Sequence, residues 1–189
     1  EKIREAITPR TKAIITVDIA GMPCQYEKIK QLLDTPEVRE KYSASSDVQK
    51  KLNRILLISD SAHAVGAEYR GKTITQWVDV SVQSFHAVKN ITSAEGGAIC
   101  LNLPEQFDEE ETRKFFKLMT LNGQTKDAFT KNQAGAWRYD IVEFGMKINL
   151  PDINAAVALA QLRKYDYLLQ ERKRVFELYH SLLSEYHWA

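Results

Sequence analysis

Short apolar runs alternate with charged, helix-like stretches over the first hundred residues, and this alternation restricts the fold more than any other feature. The runs are rich in branched side chains, which is typical of buried strands. We predict strands over residues 12–18, 54–60, 78–85 and 97–101. Strands separated by helical stretches build strand-helix-strand units, so the sequence predicts an α/β fold with a mainly parallel sheet and flanking helices.

The spacing of apolar residues elsewhere predicts four helices, over 26–33, 47–53, 108–122 and from 152 almost to the end of the chain. Residues 34–46 contain Pro36 and a cluster of small polar residues, and we expect a surface excursion, an insertion, in this segment. The polar stretch that ends at Arg138 has no clear period and is predicted to be a loop. Asn149, followed by Pro151 and Asp152, is a plausible helix start.

Composition excludes several classes of partner. The 189 residues suffice for one full-sized core, and the 26 basic and 25 acidic side chains are interspersed, so nothing predicts binding to nucleic acid or to an anionic membrane. Cys24 and Cys100 lie far apart without metal-ligand spacing, so we expect free thiols, no metal site and a reducing cytoplasm. No apolar run has transmembrane length, and the first residues lack the apolar core of a signal peptide.

Two polar side chains end predicted strands. Asp60 ends the second strand, and Ser84 lies at the end of the third. Ligands of open α/β sheets bind beyond the carboxyl ends of strands. We therefore expect Asp60 and Ser84 to face one crevice.

Three short segments carry candidate chemistry: Asp60–Ala67, Ser84–Asn90 and Glu95–Gly97. Each also has a simpler interpretation. Asp60 could cap a helix or form an ion pair, and His63 could be a satisfied core histidine. Lys89 could be a solvated surface charge, and the Glu-Gly-Gly segment could be a turn before a strand.

Taken together, these segments resemble the DegT/DnrJ/EryC1/StrS family of aminotransferases, which depend on pyridoxal phosphate (PLP). In that family a strand ends in a similar Asp-x-Ala-His-Ala-x-Gly segment, a later strand ends in Ser-Phe-His-x-x-Lys, and Glu-Gly-Gly follows. Residues 145–156 resemble a fourth family segment, Gly-Tyr-Lys-Tyr-Asn-Leu-Thr-Asp-Ile-Asn-Ala-Ala. The resemblance implies PLP-dependent transferase fold type I, with 1–150 in the large domain and 151–189 forming a long helix toward a C-terminal small domain.

The resemblance also implies roles for five residues. Lys89 matches the lysine that holds PLP as a Schiff base and moves protons during transamination. Asp60 matches the carboxylate that keeps the cofactor ring nitrogen protonated, and His63 the residue that packs over the ring. Ser84 matches a hydroxyl donor to the cofactor phosphate. Asn149 matches an amide that reaches the phosphate of the neighbouring subunit, a role compatible with capping a helix.

The implied function is transamination of a nucleotide-linked keto-sugar, with glutamate as amino donor. The resemblance leans towards the branch that aminates UDP-linked 4-keto sugars, although a dTDP-linked sugar fits as well. It further implies a homodimer with its active site at the subunit interface. Amino-sugar and polysaccharide biosynthesis is the expected setting.

Two alternatives stay open at this point. Some family members are sugar dehydratases that use the pyridoxamine form, but there the lysine is typically replaced by histidine, which disfavours this activity here. The other alternative is a non-catalytic scaffold. We find no N-terminal phosphate-binding turn and no small domain, so we expect this chain to be a fragment that binds the cofactor poorly on its own.

Overall fold

A four-stranded sheet organises the computed structural model, which describes residues 1–125 and 138–186. Its strands lie in the order β1, β2, β5, β6. The strands are β1 (Ala13–Val17), β2 (Leu56–Asp60), β5 (Val80–Ser84) and β6 (Gly97–Leu101). The first three are parallel, whereas β6 runs antiparallel to β5. The predicted mainly parallel sheet is confirmed, and a two-stranded ribbon of β3 (Glu68–Tyr69) and β4 (Lys72–Thr73) adds to it.

Seven α-helices accompany this sheet in the described part of the chain. They are α1 (Lys2–Ala6), α2 (Tyr26–Leu33), α3 (Pro36–Lys41), α4 (Asp47–Leu52), α5 (Glu109–Thr120), α6 (Asp152–Leu162) and α7 (Tyr165–Leu183). Side-chain caps begin two of them: Ser46 accepts a hydrogen bond from the Gln49 amide, and Asp108 accepts one from the Glu111 amide. Such caps satisfy amides that have no partner inside the helix.

The structure corrects two of the predicted segments. Residues 34–46 are not merely a surface excursion, because α3 lies within them and its Val38 is only 1% exposed. The chain also does not end in one helix, since α6 and α7 are separate helices with Arg163 and Lys164 between them. Most of the predicted loop before Arg138 lies outside the described residues. None of the described helices is long and apolar enough to cross a membrane.

The core lies between α2 and one face of the sheet. Tyr26, Ile29 and Leu33 lie on one side of α2 and are buried. They belong to a cluster that also includes Leu57 of β2. Arg54 closes the amino end of β2 by donating two hydrogen bonds of 2.6 Å to the Asp79 carboxylate, and these hydrogen bonds raise the pKa of Arg54. This paired contact holds the start of β2 beside the start of β5.

The opposite face of the sheet is apolar and open among the described residues. Ile15, Val17, Val82 and Ile99 are between 42% and 66% exposed. Beyond its amino end, a pocket of about 720 Å³ is lined mainly by apolar side chains, including Leu101 of β6. Parallel sheets are typically covered on both faces. The sequence of these strands therefore indicates a sheet with a second covering layer.

Candidate active site

The candidate site lies where parallel strands β2 and β5 end. Asp60 is the last residue of β2, and it pairs in register with Val82 of β5. Ser84, the last residue of β5, lies two positions beyond Val82 and therefore faces the same side of the sheet. Both side chains are half-buried and belong to the open face. The structure thus places Asp60 and Ser84 on one sheet face at one edge, as predicted.

The carboxylate of Asp60 has one oxygen to offer a ligand. Its Oδ1 accepts a hydrogen bond from the Ala62 amide at 3.1 Å, which fixes the side chain at the start of the following turn. Its Oδ2 accepts no hydrogen bond from any residue that the structure describes. Asp60 forms no ion pair within the same residues. An acceptor held in this way can bind a protonated nitrogen without first giving up another partner.

His63 lies in the turn after Asp60 and is exposed, so the core-histidine interpretation is wrong. Its Nδ1 accepts a hydrogen bond from the amide of Ala20, which belongs to the connection between β1 and α2. The distance is 3.2 Å. The flat ring is thereby fixed by a second segment rather than by its own turn.

Lys89 lies in the loop after β5 and is half-buried. The loop folds back on itself, because the Lys89 amide donates to the carbonyl of His86 at 3.0 Å. The His86 amide in turn donates to the Ser84 hydroxyl at 3.3 Å. The Lys89 Nζ has no hydrogen bond or ion pair with the described residues, so none of them competes with a bound group for this nitrogen.

One carbonyl joins the His63 turn, the Lys89 loop and α7. The carbonyl of Val65 accepts hydrogen bonds from the Asn90 side chain at 3.3 Å and from the Tyr165 hydroxyl at 2.5 Å. Gly66 leaves room for this contact, because a Cβ there would come within 2.3 Å of the Tyr165 oxygen. Sequence reasoning missed Tyr165, which is a hundred residues from Val65 and gives no local signal.

Tyr165→Phe removes the hydroxyl donor while it keeps the ring. We expect a loss of about 1 kcal/mol in unfolding free energy and faster amide exchange around Val65, because one partner of a half-buried hydrogen bond disappears. Chemical denaturation and hydrogen exchange measure the two effects. Tyr167→Phe is the matched control, since Tyr167 is 61% exposed. Equal behaviour of the two variants would show that the Val65 contact does not order the turn.

The Glu95–Gly97 segment is a turn that the packing requires. Gly96 has φ of 149°, and a Cβ on Gly97 would lie 2.5 Å from the backbone oxygen of Gln83 on β5. A side chain at Gly97 would therefore push β6 away from β5. The Asn154 side chain of α6 donates to the Ser93 carbonyl at 2.6 Å and holds this turn in place.

Asn149 lies three residues before the first residue of α6. It is exposed, and its Oδ1 accepts a hydrogen bond from the Lys147 ammonium. Helix α6 begins at Asp152 with Pro151 in the cap position, so the helix-cap interpretation of Asn149 is wrong. No hydrogen bond in the described residues links Asn149 to Asp60, His63, Ser84 or Lys89.

The donor set of this edge fits PLP. The cofactor carries a ring nitrogen, an aldehyde and a phosphate, which require a carboxylate, an amine and hydrogen-bond donors. Asp60 supplies a carboxylate oxygen and Lys89 an amine, both without a partner in the described part of the chain, and Ser84 supplies a hydroxyl. The three lie on the ends of two adjacent parallel strands or in the loop that follows them.

Comparisons with known proteins agree with this arrangement. The sequence model of the DegT/DnrJ/EryC1/StrS aminotransferase family matches residues 1–39 and 43–188. Spr1654 of Streptococcus pneumoniae is 44% identical to this chain, with a TM-score of 0.88. It is provisionally assigned as a sugar aminotransferase and was solved in its pyridoxamine phosphate (PMP) form. The match covers 96% of this chain and 45% of Spr1654. Only residues 40–42 interrupt the family match, so most of the predicted insertion belongs to the family pattern.

Two further relatives show similar coverage. PseC of Helicobacter pylori, an aminotransferase involved in the biosynthesis of pseudoaminic acid, is 31% identical with a TM-score of 0.72, over 96% of this chain and 41% of its own. The uncharacterized protein MJ1066 of Methanocaldococcus jannaschii is 36% identical over 182 residues, 96% of this chain and 41% of its own. The chain therefore spans less than half the length of these relatives.

These likenesses confirm two predictions made from the sequence. The structural matches confirm the fold of a PLP-dependent sugar aminotransferase, of which this chain covers one part. Spr1654 is also solved in a PLP form, so the predicted cofactor is confirmed for the family.

Proposed function

The chain belongs to the DegT/DnrJ/EryC1/StrS aminotransferase family, and from this we propose that it forms the PLP-binding part of a sugar aminotransferase. The proposed reaction moves an amino group from glutamate to a nucleotide-linked keto-sugar, with a UDP- or dTDP-linked 4-keto sugar as the preferred acceptor. One observation carries the proposal. The Asp60 carboxylate lies at the edge where β5 leads into the loop of the half-buried Lys89, and within residues 1–125 and 138–186 neither its Oδ2 nor the Lys89 Nζ has a partner.

Each residue of the site has a separate task in this proposal. When bound, PLP supplies an electron sink that stabilises negative charge on the substrate carbon. With PLP bound, the Lys89 amine would hold the cofactor aldehyde and would carry the proton that moves during transamination. The Asp60 Oδ2 would accept a hydrogen bond from the ring N–H and keep that proton in place. The electron sink depends on this proton, so Asp60 governs rate more than binding.

The other residues hold the cofactor in position. The His63 ring would pack over the cofactor ring and limit its tilt. The Ser84 hydroxyl would donate to the phosphate, and a hydrogen bond to a dianion is among the stronger ones available. The amide of Asn149 serves the phosphate of a neighbouring subunit. This role accounts for the exposed position of Asn149.

The proposal extends to organisation. Residues 1–150 form part of the large domain, and 151–189 lead toward a small domain. The functional unit is a homodimer whose active site lies at the subunit interface, and it works in the cytoplasm. Support comes from the open apolar sheet face, which requires a covering layer, and from relatives more than twice as long as this chain.

The two half-reactions test the proposed function. We expect glutamate to convert the PLP-loaded protein to the PMP form, with a matching loss of visible absorbance and one 2-oxoglutarate per site. The PMP form should then aminate members of a panel of UDP- and dTDP-linked keto-sugars, which mass spectrometry detects. Release of water from a sugar without amination would indicate a dehydratase. Failure of both half-reactions in a PLP-loaded protein would support a scaffold role.

A further inference from the structure

A buried carboxylate lies beneath the candidate site, on the covered face of the sheet. Asp18 follows β1 and is 0% exposed. Its carboxylate accepts hydrogen bonds from the Tyr26 hydroxyl at 2.7 Å, from the Ser59 hydroxyl at 2.5 Å and from the Cys24 amide at 3.0 Å. Ser61 donates more weakly at 3.3 Å. We call Asp18, Tyr26, Ser59 and Ser61 the Asp18 cluster.

No cation pairs with this carboxylate among the described residues. All four donors are neutral hydroxyls or a backbone amide. Burial raises the pKa of Tyr26, so the phenol keeps its proton and remains a donor. A buried charge without a counter-ion is costly unless hydrogen bonds replace its water. The four hydrogen bonds replace that water, and they tie Asp18 to Cys24, to α2 and to the end of β2.

The cluster fixes the connection between β1 and α2. The Asp18 amide donates to the Asp60 carbonyl at 3.0 Å, and the Asp18 side chain holds Cys24 at the far end of the connection. Between them, Ala20 has φ of 55°, a left-handed conformation that is uncommon for a residue with a side chain. Such a conformation persists only where surrounding contacts enforce it. Asp18 supplies such contacts, because its carbonyl accepts a hydrogen bond from the Gly21 amide at 3.1 Å and its carboxylate accepts one from the Cys24 amide.

This held conformation directs one amide at His63. The Ala20 N–H donates to Nδ1 of His63 at 3.2 Å, and a Cβ on Gly21 would lie 3.1 Å from the His63 carbonyl. An imidazole nitrogen that accepts a hydrogen bond carries no proton. The neutral ring must then hold its proton on Nε2, so the connection sets both the ring's orientation and its tautomer.

We propose that Asp18 is a positioning residue, whose buried carboxylate holds Ala20 so that its amide fixes the His63 ring as the Nε2–H tautomer. The proposal rests on the proposed function, because His63 is the residue assigned to the cofactor ring. Asp18 touches neither cofactor nor substrate and acts through the connection. Replacing Asp18 should therefore change the tautomer of the His63 ring while it leaves the amount of bound cofactor nearly unchanged.

Nitrogen NMR of the histidine side chains tests this directly in the PLP-loaded protein. The chain has four histidines, and the His63 signals are assigned by their loss in His63→Gln. At a pH where the rings are neutral, we expect the wild-type His63 to give one unprotonated Nδ1 and one protonated Nε2. In Asp18→Asn we expect averaged signals from both tautomers. Asp47→Asn, at a side chain that is 97% exposed, should leave the signals unchanged.

Kinetics and a second variant complete the test. We expect Asp18→Asn to lower kcat on the order of tenfold with little change in PLP affinity, because misplacement rather than lost binding is the cause. If Asp18→Asn does not fold, Tyr26→Phe removes one donor from the same carboxylate and should shift the tautomers in the same direction. A wild-type ring protonated on Nδ1, or unchanged His63 signals in a folded Asp18→Asn, would overturn the proposal. The NMR result needs no turnover, so a protein without transaminase activity would refute the proposed function alone.

Discussion

Lys89→Ala is expected to abolish transamination, with a fall in turnover of at least about a thousandfold. The amine both binds the cofactor aldehyde and carries a proton, and a positioned acid or base alone contributes on the order of a hundred- to ten-thousandfold. Alanine supplies neither function. The same variant should lose the visible absorbance of the lysine-bound cofactor. Stopped assays with glutamate, together with absorbance spectra, measure both effects.

Two controls separate this effect from a general loss of charge or fold. Lys89→Arg keeps the positive charge, but its guanidinium stays protonated and cannot act as a nucleophile, so it should be as inactive as alanine. Lys28→Ala changes an exposed lysine of α2 and should keep full activity. Turnover that survives in Lys89→Ala would mean that another residue binds the cofactor.

Asp60→Asn is expected to reduce transamination by at least about a hundredfold while PLP binding stays within about tenfold. The asparagine Oδ1 can still accept from the Ala62 amide, so the local turn should keep its shape. The free Oδ2 becomes an NH₂ group, which cannot accept a hydrogen bond from the ring N–H. The ring nitrogen then loses its proton more easily, and the electron sink weakens.

Separate measurements of binding and rate test this prediction. Fluorescence titration gives the PLP affinity, and single-turnover assays with glutamate give the rate of the first half-reaction. Asp47→Asn is the control, because it makes the same chemical change at an exposed position. Normal single-turnover rates in Asp60→Asn would assign Asp60 a structural role only.

The strands and their common edge could be predicted because the signals are local. The apolar run at 54–60 is long enough for a strand, and β2 occupies Leu56–Asp60. The antiparallel direction of β6 has no signal in its own residues. The chain must reverse between Lys89 and Gly97, and only the packing of Gly97 against Gln83 shows how closely it returns.

The missed elements share a physical cause, which is their shortness. Helix α3 buries only Val38, and one buried residue cannot produce a period. The ribbon of β3 and β4 has only two residues in each strand. Its turn contains Arg70 at φ of 52°, and an arginine in the sequence does not predict this left-handed conformation. The break between α6 and α7 was missed for a different reason, because the residues between these helices include neither proline nor glycine.

The site could be predicted only where its residues lie close to one another in the sequence. Asp60, His63, Ser84 and Lys89 occur in two short segments, and their pattern could be matched to a family. The Asp18 cluster combines residues as far apart as 43 positions, and no spacing in the chain connects them. The cluster is buried at the covered face of the sheet, where the sequence pattern predicts apolar side chains. Folding alone brings them together.

Chemical trapping of the cofactor tests the central claim most directly. Borohydride reduces the bond between PLP and its lysine to a stable secondary amine, and peptide mass spectrometry then locates the modified residue. The PLP-loaded protein should carry the pyridoxyl group on Lys89 and on no other lysine. Modification at a different lysine, or none in a protein that binds PLP, would contradict the assignment of Lys89 and the proposed mechanism with it.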